Sequence, residues 1–89
     1  MTPHTKTYMD FFGLGEQSFV GCEVCGNRAA DIHHIIPRSK FGNKRKDEQD
    51  SIYNLIALCR FCHDQAHAER YTKDFLTDIH LRTIKKQTL

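Results

Sequence analysis

Four cysteines form two pairs, Cys22-x-x-Cys25 and Cys59-x-x-Cys62, and between and after them stand His33, His34, Asn54, His63 and His67. A Cys-x-x-Cys pair brings two thiolates close enough to share one tetrahedral ion, and a second pair completes a four-cysteine site, for which zinc is the first choice. Gly21 and Gly26 flank the first pair, as a tight turn around an ion requires. The histidines offer different chemistry. A neutral imidazole ligates transition metals, and a histidine with an ordinary pKa of about 6.5 can take a proton from water at neutral pH. Two chemical sites are therefore interleaved in one short stretch.

The surrounding chain limits how those sites can be built. At 89 residues it reads as one domain, spanning residues 1–89. A chain of this size buries only about 60% of the surface its unfolded form exposes. A core that small benefits from a staple. The hydrophobic fraction is 39% and the charged fraction 27%, an ordinary composition for a water-facing domain. No apolar run approaches the length of a membrane span, and Met1-Thr2-Pro3-His4-Thr5-Lys6 lacks the basic-then-apolar pattern of a signal peptide. The expectation is an intracellular, cytoplasmic chain with no membrane partner. In that compartment paired cysteines read as metal ligands rather than disulfides. A thioredoxin-like redox pair is the poorer reading, because there are two pairs and no βαβ pattern.

Elements that would position these groups follow from the pattern of side chains. Residues 1–20 carry Tyr8, Met9, Phe11, Phe12, Leu14, Phe19 and Val20, interrupted by Gly13 and Gly15, which predicts a turn of helix and then a packed loop. Residues 29–36 are rich in isoleucine and stop at Pro37, which predicts a strand. Residues 38–50 are polar and read as a long loop. Residues 51–58 predict a second strand, paired with the first. From Arg60 to Tyr71 the chain predicts a helix that sets His63 and His67 one above the other at i and i+4. Tyr71, Phe75, Leu76 and Ile79 then recur at near-helical spacing and predict a second, amphipathic helix. His4 and His80 lie outside the motif and are expected on the surface.

Net charge is only +2, but it is unevenly spread. Between Ile32 and Lys46 there is no acidic residue, while Arg38, Lys40, Lys44, Arg45 and Lys46 are all basic. Such a stretch suits phosphate binding, although a solvated lysine-rich loop has the same composition.

Taken together, Asp31-Ile32-His33-His34-Ile35-Ile36-Pro37-Arg38-Ser39, then Asn54 through His63, then His67, resemble the HNH endonuclease family, over a motif core of residues 22–67. The resemblance implies an α+β fold: a small ββα-metal domain with a four-cysteine zinc knuckle and flanking N- and C-terminal helical segments. It implies that His34 is the general base and that His33, His63 and His67 hold a catalytic divalent metal. Asn54 would fix the loop or orient the base, and Cys22, Cys25, Cys59 and Cys62 would bind a structural zinc. Asp31, two residues before His33 on the same strand face, reads as an extra ligand or as a group behind one. His63 beside Cys62 has the alternative of joining the structural zinc, and His67 that of an ordinary exposed helical histidine.

The expected activity is metal-dependent hydrolysis of DNA phosphodiester bonds, leaving 5′-phosphate and 3′-hydroxyl ends. Imidazole ligands favour Zn2+, Mn2+, Ni2+ or Co2+ over Mg2+, which prefers oxygen. One centre cuts one strand, so double-strand cleavage calls for a homodimer or two successive nicks. At this size the chain is similar to free-standing phage or prophage enzymes, which implies a bacterial or phage-infected cell and a larger phage or bacterial protein as partner. The rival readings are a catalytically inactive or accessory zinc-knuckle DNA-binding module and a zinc-stapled protein-interaction domain.

Overall fold

A computed structural model describes residues 2–42 and 45–88. The elements run α1 (Pro3–Phe11), β1 (Asp31–His34), a 3-10 turn (Arg38–Lys40), α2 (Lys46–Gln49), a second 3-10 turn (Ile52–Asn54), β2 (Leu55–Leu58), α3 (Arg60–His67) and α4 (Lys73–Thr88). The two strands form an antiparallel hairpin with Asp31 opposite Leu58 and His34 opposite Leu55. This is the α+β, ββα arrangement with helical flanks.

Strand β2 explains the layering. Leu55, Ile56, Ala57 and Leu58 are all fully buried, so the strand is apolar on both faces. Side chains alternate along it. Ile56 and Leu58 pack with Cys22, Ile35, Cys59, Cys62 and Leu76, under α3 and α4. Leu55 and Ala57 pack with Tyr8 and Met9 of α1. The hairpin is thus a thin sheet covered by helix on each side. The same alternation in β1 sends Asp31 and His33 to one face and Ile32 and His34 to the other.

Several expected boundaries shift, each for a local reason. The reading of residues 38–50 as loop is corrected by the 3-10 turn and by α2, whose first turn carries Asp47 and Glu48 where acidic groups favour a helix N-terminus. Regular pairing in the second strand begins only at Leu55, because Ser51 accepts a hydrogen bond from the backbone N–H of Tyr53 and starts a 3-10 turn instead. Helix α3 stops at His67 rather than Tyr71. Glu69 adopts a left-handed φ of 61°, and the N–H groups of Arg70 and Tyr71 both turn back to the carbonyl of Gln65. No helix among the described residues is long and apolar enough to cross a membrane.

His80 overturns its expected surface position. Its side chain is 0% exposed, and that of Glu23 beside it is 3% exposed. Nδ1 of His80 lies 2.9 Å from a carboxylate oxygen of Glu23, and Nε2 lies 2.5 Å from the carbonyl oxygen of Ile52. Both ring nitrogens thus face oxygen atoms of the fold. Glu23 also accepts from the Tyr8 hydroxyl at 2.6 Å and from the backbone N–H of Ala57 at 3.3 Å. Burial, and then the Glu23 carboxylate, push the Tyr8 phenol well above its usual pKa. One carboxylate therefore joins α1, the knuckle, β2 and α4. Replacing His80 with leucine strands that charge, and removing one partner of a buried pair costs about 3–5 kcal/mol. Urea unfolding measures the loss; a His80→Leu midpoint equal to the parent's would refute it.

Candidate active site and metal centres

The cysteine pairs meet at the start of α3. All four thiols are free, and their sulfur atoms lie within 4.8 Å of one another. The Sγ atoms of Cys25 and Cys59 are 3.6 Å apart. A disulfide needs about 2.05 Å. Thiolates sharing a zinc ion at about 2.3 Å each sit ~3.8 Å from one another, so the spacing fits an ion and not a bridge. Gly26 turns the knuckle at φ 84°, a conformation that glycine alone adopts without strain, whereas Gly21 pairs with Arg28 in an isolated bridge. Burial works against ionisation of Cys22, but backbone N–H groups of Cys59, Cys25 and Val24 bring its thiol down to about 7. Burial pushes Cys62 up to about 12, with the neighbouring cysteines adding to the effect. Four sulfurs in one small volume accept full ionisation only beside a cation.

Cys59 has a second duty. It is the N-cap of α3, and its sulfur accepts from the backbone N–H of Cys62 at 3.4 Å. The cage is thereby part of the helix that carries His63 and His67. This helix lies against β1 so that His33, His63 and His67 each offer a ring nitrogen within 4.8 Å of the others. The Nε2 atoms of His63 and His67 face each other at 3.0 Å. Two imidazoles on one ion are ~3.3 Å apart, so these nitrogens stand close to ligand spacing. Nδ1 of His63 is buried without a hydrogen bond, with the Asp31 carboxylate 3.2 Å behind it. A carboxylate in that position orients a ligating imidazole and raises its basicity. Burial, and then the neighbouring His63, His67 and His34, push His33 down to about 4. At neutral pH His33 is therefore unprotonated, the form that binds metal.

His34 stands on the other face of the strand but borders the same cleft. That cleft, of about 710 Å³, is lined by His33, His34, His63 and His67 and reaches Thr72 and Lys73 at the start of α4. Nε2 of His34 lies 2.8 Å from Oδ1 of Asp50, and its ring lies 4.4 Å from that of His4. Burial opposes ionisation of Asp50, yet hydrogen bonds from His34 and Gln49 hold its carboxyl below the usual range. His4, expected on the surface, is instead half-buried, and burial, followed by the proximity of His34, lowers its pKa. Asp50 and His4 are the two neighbours of His34 that sequence reasoning missed. In the sequence Asp50 is only an acid closing a basic run, and no local spacing relates His4 to a residue thirty positions on.

Asn54 is buried and holds backbone rather than a ring. Its Oδ1 accepts from the N–H of Ile36 at 2.8 Å, and its Nδ2 donates to the carbonyls of Ile36 at 3.1 Å and Gln49 at 2.9 Å. These bonds close the base of the segment between β1 and α2. Among the basic residues, Arg38 and Lys40 are exposed on the 3-10 turn that follows Pro37. Arg45 pairs with Glu48 at 2.6 Å and lies over the Phe41 ring. Lys44 lies outside the described residues, as does the side chain of Lys46, whose backbone opens α2.

A family model described as HNH endonuclease matches residues 22–69. The type IV methyl-directed restriction enzyme EcoKMcrA of Escherichia coli (strain K12) is 28% identical over 82 residues, covering 81% of this chain and 27% of that enzyme. A mitochondrial DNA mismatch repair protein mutS homolog of Sarcophyton glaucum is 33% identical over 49 residues, 55% of this chain and 5% of that protein. The chain thus spans less than a third of either relative. No solved structure matches. With the family match covering the cage, the hairpin and α3 together, the chain belongs to the HNH endonuclease family.

Proposed function

We propose that residues 1–89 form a single metal-dependent nuclease domain that hydrolyses DNA phosphodiester bonds and leaves 5′-phosphate and 3′-hydroxyl ends. The observation that carries this reading is the convergence of His33, His63 and His67 on one point of the cleft that His34 borders. When bound by those three imidazoles, a divalent ion supplies positive charge to the phosphate and to the departing oxygen. The rest is the work of the chain. Asp50 accepts from Nε2–H of His34, which leaves the lone pair on Nδ1. Nδ1 takes a proton from the attacking water as its oxygen bonds to phosphorus; the P–O3′ bond breaks and the 3′ oxygen is protonated from solvent. Asn54 is a positioning residue, holding the backbone at Ile36 and Gln49 on either side of that proton transfer. Arg38 and Lys40, with Lys44, Arg45 and Lys46, would follow the DNA backbone.

Incubating supercoiled plasmid with the chain and one of Mg2+, Mn2+, Co2+, Ni2+ or Zn2+ tests this directly. The expected result is nicked and then linear DNA with at least one ion and none with chelator. Retention of plasmid without a nick under every ion would instead mark a DNA-binding module.

A further inference from the structure

A third group of metal-ligating side chains lies apart from the two described above. His4, His34 and Asp50 each offer one atom, and those atoms lie within 4.8 Å of one another. They come from three separate segments: the first turn of α1, the last residue of β1, and the residue that follows α2. None of them belongs to the cysteine cage or to the trio formed by His33, His63 and His67. The pleat of β1 keeps the two histidine clusters on opposite faces of the hairpin.

We propose that His4, His34 and Asp50 form an additional transition-metal site, and that an ion bound there switches off His34 as a base. Two imidazoles and a carboxylate are a donor set for Zn2+, Co2+ or Ni2+ and a poor one for Mg2+. The His34 side chain is 11% exposed and that of Asp50 32%, so the cluster is partly dehydrated yet open to an ion from solvent. Three protein ligands leave a further position for water.

The effect on His34 follows from proton bookkeeping. Nε2 lies 2.8 Å from Asp50, so an ion shared by these two groups takes the place of the Nε2 proton between them. A neutral imidazole with a metal on Nε2 carries its one proton on Nδ1. That proton comes from water and the displaced one returns to water, so the exchange balances. Nδ1 then presents N–H to the cleft where the mechanism needs a lone pair. Low transition metal leaves the base free, whereas excess blocks it.

The regulatory half rests on His34 being the base, but the binding half does not, and the two are separable by experiment. Equilibrium dialysis against Zn2+ with metal analysis is expected to give three ions per wild-type chain, one for each cluster. His4→Ala and Asp50→Asn are each expected to hold two. Asp50→Asn keeps a hydrogen-bonding side chain of the same shape, so it serves where His4→Ala disturbs α1. Plasmid nicking supported by Mg2+ or Mn2+ is then titrated with Zn2+, each variant being scored against its own uninhibited rate. The variants are expected to need at least about tenfold more zinc for the same inhibition, in line with the loss of affinity that weakened ligation brings. A wild-type chain that holds only two ions, or variants that bind and respond as the wild type does, overturns the proposal. A chain that holds the third ion but cleaves nothing overturns the nuclease reading and leaves the additional site standing.

Discussion

Replacing Cys62 with serine, or stripping the chain with a strong chelator, is expected to unfold it. Structural zinc contributes roughly 10–16 kcal/mol in apparent terms to small zinc domains at neutral pH. A whole small domain is stable by only about 5–15 kcal/mol. An ion in the cysteine cage is therefore worth about as much as the whole net stability of such a domain. Cys62 is 1% exposed and packs with Ile56, Leu58 and Leu76, so the cage is embedded in the larger of the two core clusters. Opening it loosens the sulfur cap of α3 and floods that cluster together. Circular dichroism and thermal melting, with and without one equivalent of zinc, provide the measurement. A metal-free chain that still melted cooperatively at the holo temperature would show that the hydrophobic clusters suffice.

The second large effect is chemical. His34→Ala is expected to lower the single-turnover nicking rate by ~10²–10⁴-fold, the usual contribution of a positioned general base. DNA affinity and the zinc held by the four cysteines are expected to stay as they were, because His34 touches neither the cysteines nor the cluster of His33, His63 and His67. A rate within a few-fold of wild type would assign the proton transfer elsewhere. His33→Ala makes the contrast. It removes one of the three proposed ligands, so its loss should be partly recovered by raising the metal concentration, whereas that of His34→Ala should not.

The parts of the site that could be read from residues alone are those fixed by short-range geometry. Two Cys-x-x-Cys pairs, an i, i+4 histidine pair on a helix and a strand ending at proline each carry their spatial meaning in their spacing, and the structure brings the corresponding atoms together. What spacing could not reveal depends on tertiary closure. His80 and Glu23 are 57 positions apart, and each alone reads as a surface group; only the packing of α4 over β2 makes them a buried pair. Asp50 finds His34 because Asn54 closes the intervening segment at its base. The same applies to His4, which reaches His34 because α1 covers the second face of the hairpin. The misjudged limits of α3 and of the second strand come from single capping events, at Glu69 and Ser51, that compete locally with a longer regular element.

The alternation of His33 and His34 across one short strand has a further consequence for how this hairpin tolerates change. With a side-chain period of two, sliding β1 by one residue against β2 would turn His34 toward His63 and His67 and His33 toward His4 and Asp50. Both clusters would then be wrongly populated at once. Insertions or deletions within residues 31–34 would accordingly break both clusters at once. Adjacent, identical side chains thus act as a reading-frame mark for the fold, correct in one alignment of the strands and in no other.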